Sequence, residues 1–381
     1  MNTTNNQTQT YLSLYQWLNR VGSYLIFDYL YTYLITGLSI IAFGFNLISW
    51  LVLQKSIFPS TGFYRFMRVY TLNGMVLSLI LSTTFLITSY NLFSFVNSYA
   101  ATFYAVYVFT PLFSAFYLNS SLLQIWMVIE RMLFFLPERF KRFRIIKFKR
   151  FCLGLFLVSV LVISPNYFIY YPGCFDIPLE KNKLYRIYSI HLTPFSATTV
   201  GKALIVLMYF IRDILTMITK LVLNTILVIH VRRYLFKLKM DKLNFALKIS
   251  TSALHINNID LSRQSYITRT DRNQTYIALI MSLYSLFEHA FYIPAYILFA
   301  LRINSIAPLF YFLSLLAQAL KHATNFFIFY KFNYLFRSEV KKSFSKLIKR
   351  IKITSDVNKN EEKEDSFNNT NNNVVSVSNL L

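Results

Sequence analysis

Arg212, Asp213, Lys220, Glu288, His289, Gln318, Lys321, His322 and Asn325 all fall inside stretches of sequence that are otherwise apolar. A charge buried in such a stretch is costly unless it is paired or wetted, so each of these residues is a candidate for function. Glu288 and Tyr292 are four residues apart and share a helix face. Gln318, Lys321, His322 and Asn325 recur at three- and four-residue steps, which makes one polar stripe. Arg212 and Asp213 are adjacent, so on an α-helix they point about 100° apart and do not simply pair face to face, and one of them is expected to reach another helix. Lys220 is expected to extend its ammonium to the membrane surface. Three chemistries fit this set. Arg212, Asp213, Tyr292 and Gln318 can surround a ligand, with Glu288, Lys321 and His322 as a deeper polar network. Glu288 and Lys321 can instead pair structurally and hold two helices together. The charges of the last three apolar stretches can also form the pathway of a transporter or channel. Catalysis is disfavoured: the chain has neither His-Glu-x-x-His nor Gly-x-Ser-x-Gly, and only 5 histidines. No catalytic residue, cofactor or metal site is expected.

The elements that must position these residues are read from the apolar runs. With 55% hydrophobic and 14% charged residues over 381 positions, the composition is that of a chain that crosses a membrane several times. Only 8 glycines and 9 prolines argue against a loop-rich β-barrel. A net charge of +23 suggests nucleic acid only if it lies on a soluble surface. Here the basic residues lie between apolar runs, which points to anionic lipid instead. Seven spans are expected, at roughly 31–54, 67–89, 102–128, 152–172, 204–231, 275–301 and 306–330. A polar stretch separates the fifth from the sixth. No internal repeat is visible, which weakens the transporter reading.

Lysine and arginine set the orientation. Lys55, Arg65 and Arg68 follow span one, eight basic residues lie between Arg131 and Arg150, nine between Arg232 and Arg272, and eight between Lys331 and Lys352. The other side holds Arg20, Lys181, Lys183, Arg186, Lys202 and Arg302. The fold class expected is therefore an all-α membrane protein, a seven-helix bundle with its N-terminus outside and its C-terminus in the cytosol. Residues 1–30 form an extracellular N-terminus with sequons at Asn2 and Asn6, which mark glycosylation sites. Residues 31–330 form the bundle. Residues 331–352 carry apolar positions at three- and four-residue steps with basic residues between, an amphipathic helix for an anionic inner leaflet. Residues 353–381 are rich in Asn, Ser, Glu and Lys and are expected to be disordered. Cys152 and Cys174 flank one span of about 20 residues, which holds them roughly 30 Å apart and out of reach of a disulfide.

Several short motifs then fall at matching places in the seven spans. Span one contains Gly44-Phe45-Asn46, span three ends in Ile129-Glu130-Arg131-Met132, and span six contains Phe291-Tyr292-Ile293-Pro294. Span seven ends in Asn325-Phe326-Phe327-Ile328-Phe329-Tyr330 and leads directly into the basic helix. Together they resemble the marks of rhodopsin-like G protein-coupled receptors: the Gly-Asn of helix one, Glu/Asp-Arg-Tyr, Cys-Trp-x-Pro and Asn-Pro-x-x-Tyr. The resemblance covers about residues 30 to 350. Arg212-Asp213 with Leu223-Asn224 and Arg232-Arg233 is similar to invertebrate orphan and FMRFamide-type peptide receptors.

The chain departs from that pattern in several places. Met132 replaces the tyrosine after Arg131, Phe326 replaces the proline after Asn325, and Tyr330 stands one place late. Span two, around Asn73-Gly74-Met75, lacks the aspartate that binds sodium in many family members. The top of span three lacks the cysteine that would pair with Cys174. The resemblance implies a plasma-membrane receptor that couples an extracellular ligand to a heterotrimeric G protein. Glu130, Arg131, Tyr292, Pro294, Asn325 and Tyr330 would be its switch, and Asn46 a structural amide. Glu130 beside Arg131 implies a charge-neutralised resting state. The outer segments hold few acids, and span three has no inward aspartate, so a peptide with an acidic or amidated end reaching Arg212 is the expected ligand.

Overall fold

The computed structural model describes residues 30–58, 61–83, 98–135, 148–179, 183–251, 258–300, 307–346 and 348–349. The sequons at Asn2 and Asn6 and the tail at 353–381 lie outside them. Seven long helices run through the first unit of the chain. Helix α1 (Thr36–Leu53) is entered through a π-turn at Leu30–Ile35, and α2 spans Gly62–Ser82. Helix α3 (Thr110–Phe135) continues Tyr99–Phe103 through a second π-turn at Tyr104–Phe109. Helix α4 is Phe148–Ile163. Helix α5 (Thr216–Thr251) continues Thr199–Tyr209 through a third π-turn at Phe210–Leu215. Helices α6 and α7 are Asn258–Ala300 and Ala307–Phe332. Helix α1 packs on α2, α5 on α6 and α6 on α7, α7 returns against α1, and α3 touches α2, α4, α5 and α6. Its central place explains why Ser114, Tyr117, Asn119, Ser121, Gln124 and Arg131 are all buried on one helix.

Polarity runs opposite to that of a water-soluble protein. Apolar side chains such as Leu153, Leu157 and Leu161 of α4 and Leu283 and Phe287 of α6 face outward, while Asn46, Asn73, Gln124, Lys220, Glu288 and Lys321 are sealed inside. Lipid as the outer solvent rewards that arrangement, because the helices satisfy their own backbone groups. Five of the described helical runs are long and apolar enough to cross a membrane. Two others, α2 and α7, are more polar, since Arg65, Arg68 and Asn73 lie on the one and Gln318, Lys321, His322 and Asn325 on the other. Both pack into the same bundle. The chain is a multi-pass membrane protein.

The polar stretch expected between spans five and six is largely helical. α5 runs on to Thr251 and α6 already begins at Asn258. At 1.5 Å per residue α6 is about 65 Å long, roughly twice a bilayer core, so both helices project well beyond the apolar zone. A second departure is a two-stranded antiparallel hairpin, β1 (Tyr170–Leu179) with β2 (Lys183–Leu192), between α4 and α5. Its register pairs Tyr170 with Leu192 and Cys174 with Tyr188. Cys152 is half-buried, Cys174 is exposed, and neither is bridged.

Two threonines after the hairpin start short helices. Thr193 Oγ1 caps Ser196 N at 3.4 Å, and Thr198 Oγ1 caps Gly201 N at 3.0 Å. Gly201 is required there, because a Cβ would stand 2.1 Å from the Phe195 carbonyl oxygen and 3.0 Å from Ser196 Cα. Backbone cannot swing aside as a side-chain end can. Gly201→Ala is therefore expected to destabilise the protein by about 1 to 3 kcal/mol, read as a lower apparent Tm. An unchanged Tm would show that this junction has slack.

A second unit begins at Asn333. Its helix α8 (334–346) is capped by Asn333 Oδ1, which accepts from Phe336 N at 3.1 Å, and carries a Glu339–Lys342 ion pair at 3.0 Å. Phe344 is exposed among the lysines.

Candidate functional site

At the hairpin end, α3, α5, α6 and α7 enclose a cavity of about 230 Å³, which Tyr170 and Ile190 of the two strands help to close. Among the described residues its only charged lining residue is Arg212. Against the sequence expectation, Arg212 and Asp213 do pair. Nη2 donates to Oδ2 at 2.8 Å, and Nε donates to both carboxylate oxygens at 3.2 Å. The cause is the π-turn at Phe210–Leu215, which holds both residues. Its wider turn breaks the α-helical spacing, and the long arginine side chain folds back across it. Both residues are 2% exposed. Nη1 of Arg212 donates to Ser114 Oγ at 3.1 Å, and the guanidinium lies 4.9 Å from the Tyr209 ring and 5.0 Å from that of Tyr292. The arginine thus reaches the cavity already balanced by a carboxylate, so an acidic ligand end is not needed to neutralise it.

Tyr292, the aromatic two residues before Pro294, lines the cavity and lies in ring contact with Tyr117 of α3 and Tyr311 of α7. Gln318 does not line it. It is fully buried seven residues further along α7, about 10 Å deeper, and Tyr311 takes the place expected for it. Ser114, Asn166, Tyr209 and Tyr311 also line the cavity, and the sequence reading named none of them. Only Ser114 carried a signal, being one α-helical turn from Tyr117 on a face of α3 that also carries Ser121, Gln124 and Arg131. Tyr170 lies at the rim, its hydroxyl 3.3 Å from that of Tyr209. Burial, and then Tyr209, push the Tyr170 phenol above the usual tyrosine value.

Beneath the cavity lie the buried polar groups, in two clusters. His289 Nδ1 lies 2.9 Å from the Tyr117 hydroxyl and 3.9 Å from Asp213 Oδ1. His289 Nε2 lies 3.4 Å from Lys220 Nζ. Lys220 does not extend to the surface: it is fully buried, and donates to Ser121 Oγ at 2.9 Å and Ser285 Oγ at 2.5 Å. Its position seven residues after Asp213 puts it on the inward face of α5, and two serines facing it across α3 and α6 hold the ammonium there. Lys321 Nζ donates to Glu288 Oε2 at 2.7 Å, both groups fully buried, which ties α7 to α6.

His322 and Asn325 belong to a further layer with α1 and α2. Asn46 Nδ2 donates to its own helix at Ala42 O (2.8 Å) and across to His322 O (3.2 Å). Asn325 Nδ2 reaches the Tyr70 hydroxyl at 3.5 Å, to which Gln124 Nε2 also donates. Gly74 stands in the middle: a Cβ there would meet His322 Nδ1 at 3.0 Å and Asn46 Oδ1 at 3.1 Å. A side chain at Gly74 would thus press on the imidazole of His322 and the amide of Asn46. Phe326, which replaces the expected proline, stacks on Phe45 of α1 at 5.0 Å and on Tyr330 at 6.1 Å.

At the far end of α3, Arg131 is 4% exposed. Neutralisation by Glu130 was expected. Instead Arg131 Nη1 donates across to Gln274 Oε1 of α6 at 2.5 Å, and the guanidinium lies 4.5 Å above Phe63. Glu130 faces the start of α2, where a Cβ on Gly62 would stand 2.2 Å from its Oε1. That end of a helix favours negative charge.

No protein-family model matches this chain, and no curated protein matches it in sequence. A solved structure does: squid rhodopsin, with a TM-score of 0.60 and 14% identity, over 84% of this chain and 87% of that one. The chain has a rhodopsin-like fold. That fold accounts for the seven helices and for the meeting of α3, α5, α6 and α7 around the cavity. At 14% identity it does not carry the roles of side chains, which rest on the geometry above.

Proposed function

We propose that the protein is a G protein-coupled receptor that binds a peptide at the hairpin end and activates a heterotrimeric G protein at the other. The observation that carries this is the placing of two features on the same helices. A cavity with Arg212 and Tyr292 opens between α3, α5, α6 and α7, and an Arg131–Gln274 clasp joins α3 to α6 at the opposite end. A buried polar network fills the space between them. Pro294 lies inside α6 beside Tyr292, where the lost backbone hydrogen bond permits a kink. Ligand contact at Tyr292 would bias that kink, move the Gln274 end of α6 away from Arg131, and expose the arginine to a G protein. Asn325 and Tyr330 complete the switch on α7. The bias of basic residues supports an N-terminus outside the cell with glycosylated Asn2 and Asn6. It equally supports α8 lying on anionic inner-leaflet lipid at the plasma membrane.

Arg131 and Gln274 test the reading. Loss of a hydrogen bond to a charged group is worth about 1.5 to 3 kcal/mol, so Gln274→Ala is expected to raise basal G-protein activation by roughly tenfold or more. Arg131→Ala is expected to abolish both basal and ligand-driven signalling at equal surface display. Display is measured with an N-terminal tag on intact cells. If both variants signal like the parent, or the tag is reached only after permeabilisation, the receptor reading fails. A transporter is disfavoured by the sealing of Lys220, Glu288, His289 and Lys321, each 0% exposed.

A further inference from the structure

We propose that the group received by this cavity is uncharged, aromatic and hydrogen-bond donating, rather than an acid or an amine. The inference deepens the receptor reading of the same cavity and rests on it for the ligand's role, though not for its chemistry. Three observations carry it. The first is charge. Among the described residues Arg212 is the only charged side chain in the wall, and Asp213 already holds it through Nε and Nη2. An anionic ligand must compete with a carboxylate at 2.8 Å, and a cationic one meets the guanidinium. Either brings a net charge into a site whose described lining holds no further counter-ion, which is unfavourable.

The second is the wall itself. Phe109, Phe113, Tyr170, Tyr209, Tyr292 and Tyr311 supply six rings, with Phe109 and Phe113 stacked at 5.7 Å and Tyr292 tilted against Tyr311 at 5.9 Å. Such surfaces favour an aromatic guest in offset or edge contact. A cavity of about 150 Å³ accepts a benzene ring, so 230 Å³ holds one ring with a short polar arm.

The third is Asn166. It is 2% exposed and lines the cavity, and its Oδ1 has no hydrogen-bond partner among the described residues. A buried acceptor left unmade costs about 1 to 3 kcal/mol, and a ligand N–H or O–H satisfies it. Across the cavity, the Ser114 hydroxyl, which accepts from Arg212 Nη1, keeps its own proton to donate to a ligand carbonyl.

The test uses the purified full-length chain and four probes that share one ring and a short arm: phenylacetamide, N,N-dimethylphenylacetamide, phenylacetate and phenethylamine. Binding is read from the dependence of apparent Tm on probe concentration. Phenylacetamide is expected to bind at least about tenfold more tightly than phenylacetate or phenethylamine, a gap of about 1.4 kcal/mol. The dimethyl amide lacks the donor and is expected to fall behind the primary amide by a similar factor. Asn166→Leu is expected to remove that difference between the two amides. The proposal is overturned if phenylacetate or phenethylamine binds best, or if the two amides bind alike. It is also overturned if no probe shifts Tm at about 10 mM, where even a weak fragment registers. Because binding is read without a G protein, the two claims fail separately. A sustained amide ranking with Arg131→Ala and Gln274→Ala both signalling like the parent would sink the receptor reading alone. Loss of signalling in Arg131→Ala and raised basal signalling in Gln274→Ala, with an inverted ranking, would sink only the ligand class.

Discussion

Glu288→Ala is expected to lower the apparent Tm of the purified protein by roughly 10 °C. Glu288 and Lys321 are each 0% exposed and joined at 2.7 Å, so neither charge has water to fall back on. Truncating one partner of such a pair leaves the other as an uncompensated charge, and breaking buried pairs costs about 3 to 5 kcal/mol. At roughly 2 to 4 °C per kcal/mol for a chain of this order of size, the shift is large and easily measured. Lys321→Ala is expected to do the same, whereas Glu288→Leu with Lys321→Met removes both charges and is expected to lie within about 1 kcal/mol of the parent. That recovery is the decisive outcome. If the double variant is as unstable as the singles, packing and not charge explains the loss, and the pair is not what ties α6 to α7.

The pair was legible in the sequence because both residues recur on polar faces at helical steps, and complementary charges in neighbouring spans have few other places to go. Seven apolar runs were legible for the same reason: a membrane demands about 20 apolar residues per helix, and few other segments supply them. What could not be read depends on geometry that no residue type encodes. The Arg212–Asp213 contact exists because a π-turn replaces the α-helical spacing at Phe210–Leu215, and no proline or glycine marks that place. The hairpin at Tyr170–Leu192 was missed because Pro172, Gly173 and Pro178 argue against a strand interior. An isolated two-stranded ribbon tolerates them, since each strand pairs on one edge only. The helical extensions of α5 and α6 read as a polar loop because polar and charged residues outnumber apolar ones there, although Phe236, Met240, Leu243 and Leu247 recur at helical steps. Lys220 was assigned to the surface on the general behaviour of lysine, and only the positions of Ser121 and Ser285 on other helices reverse that. Glu130 was paired with Arg131 by adjacency, while Gln274 lies 143 residues away and carried no signal.

Asp213→Ala is the second change with a large expected effect, and it reaches from stability to recognition. With Asp213 gone, Arg212 keeps Ser114 Oγ and the rings of Tyr209 and Tyr292, but loses the carboxylate that balances its charge. Aromatic faces contribute about 0.5 to 2 kcal/mol to a cation, short of the 3 to 5 kcal/mol that an unpaired buried charge costs. The variant is therefore expected to lose most of that amount in stability. Alanine also leaves room where the carboxylate stood, so formate is expected to restore much of the lost Tm, and chloride at equal ionic strength less. The same argument inverts the ligand preference. Once Arg212 is unbalanced, phenylacetate is expected to overtake phenylacetamide, because the probe now supplies the missing counter-charge. If Asp213→Ala instead folds with an unchanged Tm and keeps the parent's ranking of probes, then Asp213 does not set the charge state of the cavity floor. An inverted ranking together with formate rescue would trace both effects to one contact, the 2.8 Å bond between neighbours that a π-turn brings face to face.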